Sequence, residues 1–242
     1  MAVITEVKIF EKPIEAFKAI AKEILKLTQN SRQLRFDIAL SGGNSPKGLF
    51  EEISSNYADL IPWERIHFWW GDERCVSPKS DESNYKMTHD YLLANISITK
   101  ENIHRIKGEE NPSDETVRYA NEIKNNVVFR GENPVFDLII LGLGDDGHTA
   151  SIFPNQLELL KYENICALAQ HPNTGQNRIT ITGNVINNAN RVFFLVSGEN
   201  KAMRVSEIMN DDDSAKLLPA YYISPKNGEL IWFLDKKAAS KI

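Results

Sequence analysis

Hydrophobic and polar positions along this chain fall into two alternating rhythms. Leu138–Leu141 is an unbroken apolar run behind Asp137, the pattern of a strand buried on both faces of a parallel sheet. Further stretches at 36–40, 66–70, 165–169, 178–181, 192–196 and 231–234 also predict strands, and residues 3–10 alternate well enough for an opening one. Between them the period changes. After Pro13, residues Ile14, Phe17, Ile20, Ala21, Ile24 and Leu25 recur at helical spacing, predicting a helix over 13–27. Pro46 suits a first helical position behind Ser45 as N-cap, which predicts a helix running to about residue 57. Ser83 caps a predicted helix over 84–93. Ser113 with Asp114 and Glu115 opens another that ends near 128, and a further helix follows Lys201 up to the acidic run at 211–213. Strands alternating with helices predict an α/β fold with a Rossmann-like, mainly parallel sheet and helices on both faces. No repeat or linker interrupts the pattern, so the whole of 1–242 is expected to be a single domain.

Four predicted strands end in polar loops, at 41–45, 71–74, 142–148 and 197–201. The C-terminal ends of parallel strands share one edge of the sheet, so these loops are expected to converge although they are distant in sequence. The third lies inside the stretch DLIILGLGDDGHTASIFP at 137–154, where Gly142, Gly144 and Gly147 permit a sharp turn around Asp145, Asp146 and His148. An imidazole accepts a proton at neutral pH, and a carboxylate beside it fixes its tautomer and stabilises the imidazolium. His148 is therefore the candidate general base. Asp146 and Asp72 are the two candidates for the orienting carboxylate, and spacing does not choose between them. Ser41, Gly42, Gly43 and Asn44 form a glycine loop entering a helix, where backbone N–H groups favour an anion. Arg74, Arg178 and Lys201 each lie at or beside a strand end, and their convergence would make a phosphate pocket.

Other readings of the same residues are weaker. Residues 142–147 formally match GxGxxG, yet Asp145 and Asp146 would face a pyrophosphate with two negative charges, and Pro154 shortens any following helix. No P-loop and no GxSxG elbow is present. One histidine with carboxylates lacks the ligand count of a catalytic zinc site, so no metal is expected. His67, His89, His104 and His171 occupy ordinary strand, helix or loop positions. A net charge of −5 gives no global attraction to nucleic acid or to an anionic membrane. Cys75 and Cys166 form no CxxC pair and predict no disulfide framework. With no signal-peptide pattern and no apolar run near the ~20 residues of a membrane span, a cytoplasmic protein is expected, as a monomer or small homo-oligomer.

The chain resembles the 6-phosphogluconolactonase family, within the superfamily shared with glucosamine-6-phosphate deaminase. The matching segments are Ser41-Gly42-Gly43, Gly71-Asp72-Glu73-Arg74, residues 81–85, 102–106 and 144–154, Arg178-Ile179-Thr180, residues 196–202, and Trp232-Phe233-Leu234-Asp235. The stretch DGHTAS-x-FP is the specific one. The resemblance implies hydrolysis of 6-phospho-D-glucono-1,5-lactone to 6-phosphogluconate in the oxidative branch of the pentose phosphate pathway, without cofactor. It also implies that His148 is the general base and that Arg74, Arg178, Lys201 and the 41–44 loop take the phosphate and nearby hydroxyls. The deaminase branch follows Asp-Gly-His with a pattern ending in a catalytic Glu, as in DGHIAFNEP, where this chain has Phe153. Two positions depart from the lactonase pattern: Glu82 stands where Asp is more common, and Asp145 occupies a usually glycine-richer turn. A sugar-phosphate-binding regulator is the alternative from another class. The intact His148 and the lack of an appended DNA-binding module argue against it.

Overall fold

The computed structural model describes residues 6–29 and 33–242, so residues 3–5 of the expected opening strand lie outside it. In chain order the elements are β1 (Glu6–Phe10), α1 (Pro13–Gln29), β2 (Phe36–Leu40), α2 (Asn44–Asn56), β3 (Ile66–Trp70), β4 (Asp72–Arg74), α3 (Asn84–Tyr91), β5 (Ile103–His104), α4 (Pro112–Asn126), β6 (Phe129–Arg130) and β7 (Asn133–Pro134). They continue with β8 (Leu138–Leu141), β9 (Cys166–Gln170), β10 (Asn177–Ile181), α5 (Gly183–Ile186), β11 (Arg191–Val196), α6 (Ala202–Met209) and β12 (Glu229–Asp235). Seven strands form one parallel sheet in the order β1-β12-β11-β8-β2-β3-β5. Right-handed crossovers place α1 and α2, whose connections run toward the β5 edge, on one face. Those of α4 and α6 run back toward β1 and place them on the other. The apolar runs fill the centre: every residue of β2 and β8 is buried, and Phe193, Phe194, Trp232 and Phe233 pack beside them from β11 and β12.

From β2 the chain winds one way to β3 and β5, then returns to β8 on the other side of β2 and continues away. The strand order therefore reverses between β2 and β8. A crevice opens at such a point beyond the carboxyl ends of the two strands. The loops after β2 and β8 are the glycine loop at 41–44 and the turn that carries His148.

The structure corrects four local expectations. Residue Gly43, at φ 107°, turns the chain two residues earlier than the Ser45 cap predicts, so α2 begins at Asn44 and the Ser45 hydroxyl instead meets that of Ser197 at 2.6 Å. Asn111, not Ser113, caps α4, with Oδ1 accepting the N–H groups of Ser113 and Asp114 and Pro112 in the first turn. The Ser83 cap is present, but its helix stops at Tyr91 rather than residue 93. Finally, β9 and β10 do not extend the parallel alternation. They pair antiparallel with each other, and β10 pairs antiparallel with β4, in a separate three-stranded sheet. That small sheet carries Arg74 and Arg178 to the rim of the large one.

Candidate active site

Residues of all four strand-end loops line one cavity of about 450 Å³. Ser41–Ser45, Asp72, Arg74, residues 142–145, His148, Arg178 and residues 195–201 apart from Gly198 and Glu199 face it, together with Asn84, Pro46 and Ala150. Asp146 stands behind the imidazole rather than in the wall.

The turn at 142–148 is closed by its own backbone. Gly144 N–H donates to the His148 carbonyl at 2.8 Å, Gly147 N–H donates to the Gly144 carbonyl at 3.1 Å, and the Thr149 hydroxyl donates to the Gly142 carbonyl at 3.0 Å. Gly147 lies at φ 83°, in the left-handed region that favours glycine. A Cβ on Gly144 would sit 2.1 Å from His148 Nδ1 and 2.7 Å from Asp146 Oδ1, so the bare backbone here is what admits the imidazole and carboxylate together. Ala150, in the cavity wall, holds φ 49°, an unusual angle for a side-chain-bearing residue, and one that clusters at functional sites.

His148 Nδ1 donates to Asp146 Oδ1 at 2.6 Å, and the His148 backbone N–H donates to the same oxygen at 3.1 Å. With the proton on Nδ1, the Nε2 lone pair is left to accept one. Partial burial raises the Asp146 carboxyl, but the hydrogen bond and charge of His148 outweigh it and bring it down to about 2. The pair answers the question left by spacing: Asp146, not Asp72, meets the imidazole. Asp72 is buried and committed elsewhere, its Oδ2 accepting from the Ser151 hydroxyl at 2.7 Å and its Oδ1 from Asn84 Nδ2 at 3.3 Å. On the far side of the ring, buried Phe153 packs with centroids 4.9 Å apart, and His171 stands 5.3 Å beyond Phe153.

Across the cavity, Arg178 of β10 pairs in register with Arg74 of β4. Like charges opposite each other on neighbouring strands repel. Burial, and then the charge of Arg74, push the Arg178 guanidinium down from its usual value, yet a guanidinium stays charged at neutral pH. Both Nε atoms are buried without a hydrogen-bond partner among the described residues. Two buried, like-charged guanidinium groups whose Nε donors have no partner among the described residues suit an anionic ligand. Buried Glu73 supports it, with its carboxylate accepting from the backbone N–H groups of Arg74, Asn84 and Tyr85 and from the Ser83 hydroxyl. The first turn of α2 adds donors. Its cap residue Gly43 offers no side chain to the free N–H groups, which open into the same cavity. Lys201 also lines the wall, with its ammonium held by the Asp145 carboxylate.

Sequence reasoning placed Glu73, Ser197 and Asn200 in converging loops but gave no role to them, nor to Asn84 or Ser151. Ser151, Ser197 and Asn200 act through contacts made across tens of residues, and Glu73 and Asn84 through contacts between separate elements about a dozen residues apart, which no local pattern announces. Among the described residues no group of three or more metal-binding side chains occurs, and no helix is long and apolar enough to cross a membrane.

Known proteins share this fold. The family described as glucosamine-6-phosphate isomerases/6-phosphogluconolactonase matches residues 11–232. A 6-phosphogluconolactonase of Haemophilus influenzae is 43% identical over 224 residues, covering 92% of this chain and 94% of its own. The crystal structure of the devB protein superposes with a TM-score of 0.94 at 40% identity, over 98% of this chain and 99% of that one. A 6-phosphogluconolactonase from Trypanosoma brucei superposes at 0.85 with 27% identity over the full length of both chains.

Proposed function

The chain belongs to the glucosamine-6-phosphate isomerase/6-phosphogluconolactonase family and is a lactone hydrolase, and on that premise we propose that it opens 6-phospho-D-glucono-1,5-lactone with His148 as general base. The observation that carries the mechanism is the 2.6 Å Asp146–His148 hydrogen bond facing a cavity with two unpaired guanidinium Nε donors. Arg74 and Arg178, with Lys201 and the 41–44 loop, hold the 6-phosphate and nearby hydroxyls. That anchor leaves the lactone carbonyl near the imidazole. Nε2 takes a proton from water as the water oxygen bonds to the carbonyl carbon, and Asp146 stabilises the imidazolium. Backbone N–H groups of the glycine loops receive the oxyanion of the tetrahedral intermediate. The intermediate collapses by breaking the bond to the ring oxygen. That oxygen leaves as the sugar hydroxyl, taking the proton back from the imidazolium, and the carboxylic acid formed at the carbonyl carbon gives its remaining proton to solvent to become the carboxylate.

Phe153 favours this reaction over the deaminase chemistry of the same family. Where that branch carries its catalytic Glu, this chain packs a buried ring against the imidazole, with no proton to move. The test is a pair of assays, one with freshly made 6-phosphogluconolactone corrected for spontaneous opening and one with glucosamine 6-phosphate. Turnover of the lactone alone is expected. Release of ammonia from the amino sugar, or lactone decay at the uncatalysed rate, would overturn the reading.

A further inference from the structure

The three cations around the cavity are not equivalent. Arg74 and Arg178 keep buried Nε donors unpaired, whereas the ammonium of Lys201 is already taken. Its partner is Asp145, on the turn that presents His148, and the contact spans the cavity mouth from the loop after β8 to the segment between β11 and α6. Asn200 Nδ2 donates to the same Asp145 oxygen at 2.7 Å, and Arg204 Nε donates to the Asp145 backbone carbonyl at 3.1 Å. The Lys201 side chain is only 18% exposed and lines the cavity, while the Asp145 side chain is 72% exposed. The carboxylate thus approaches from the solvent side, where an incoming anion would also arrive. The hydrogen bond from Lys201 holds the Asp145 carboxyl below its ordinary value, so it carries its charge throughout the neutral range.

A phosphate ester entering this mouth competes with Asp145 for one ammonium and is repelled by the carboxylate that holds it. We propose that Asp145 is a displaceable counter-ion for Lys201, tying the two loops together in the empty enzyme and setting the affinity for the phosphorylated substrate. This rests on the reading above that Lys201 is a phosphate ligand. The affinity of a ligand falls by the fraction of molecules in which its site is free. An exposed ion pair is individually weak, but this carboxylate is also held by Asn200, so the pair need only occupy most molecules to be felt. The opposite role is also physical: Asp145 could hold Lys201 where the phosphate needs it. The two roles predict opposite signs.

The experiment is Asp145→Asn, with steady-state kinetics on 6-phosphogluconolactone and on unphosphorylated gluconolactone, and with inorganic phosphate as competitive inhibitor. The expected result is a KM for the phosphorylated lactone and a Ki for phosphate each lowered about 3- to 10-fold, with kcat kept within about twofold. The KM of the unphosphorylated lactone stays as in the parent enzyme. An unchanged or raised KM and Ki would overturn the proposal. Lys201→Met separates the two layers. If it leaves phosphate inhibition unaltered, the phosphate role of Lys201 fails and takes the counter-ion role with it. If it weakens inhibition while Asp145→Asn changes nothing, only the counter-ion role fails.

Discussion

Asp146 carries two duties through one oxygen: it accepts the Nδ1 proton of His148 and caps the His148 backbone N–H. The first sets the tautomer and so decides which ring nitrogen faces the cavity. Asp146→Asn keeps the shape but allows the amide to present a donor to Nδ1 and turn the proton onto Nε2, which disables the base. The corresponding change in a buried catalytic triad costs about 10⁴-fold, and at 40% side-chain exposure the loss expected here in kcat is smaller, about 10- to 1,000-fold. The same substitution has a pH signature. In the folded protein the carboxyl sits at about 2, below its ordinary 3.8, so the unfolded chain binds that proton more readily. Asp146 therefore contributes stability that is complete above pH 3.8 and is lost as pH falls toward about 2. Denaturant titrations of the parent and Asp146→Asn should differ most above that window and converge below it. A constant difference across the window would assign the stabilisation to something other than the ion pair.

At the scale of elements, the turn after β8 is the part whose backbone the chemistry depends on. Gly144→Ala places a methyl 2.3 Å from His148 Cε1, so the ring must move by a large fraction of an ångström. Misplacement of that order costs about 10²-fold in rate. The expected variant keeps its thermal unfolding temperature to within a few degrees and loses kcat; full activity would mean that the turn does not position the imidazole. Elements of this kind differ in how legible they were. The strands 36–40, 66–70 and 138–141 were readable to the residue because burial on both faces leaves an apolar signature. Helix starts were less so. A serine cap was expected for α2 and a start at Ser113 for α4, but Gly43 turns the first by its φ angle and Asn111 caps the second. Backbone angles and a choice among neighbouring cap residues are decided by packing, which sequence spacing does not encode.

Over the whole molecule, the convergence of four loops followed from the parallel alternation alone, because a parallel sheet has only one carboxyl edge. The separate sheet of β4, β9 and β10 did not follow, and it is what sets Arg178 opposite Arg74. Its β4–β10 pairing joins segments about a hundred residues apart, and neither strand advertises its partner. Nor did spacing tell Asp146 from Asp72, since only the fold shows that Asp72 is spent on Ser151 and Asn84. A chain of net charge −5 has thereby gathered a local cationic pocket against its own background. The account depends on what faces that pocket from the other side. Its most direct test is the kcat of His148→Ala on 6-phosphogluconolactone, with spontaneous opening subtracted. A loss of about two to four orders of magnitude is predicted, the usual worth of a general base, and turnover near that of the parent enzyme would contradict it.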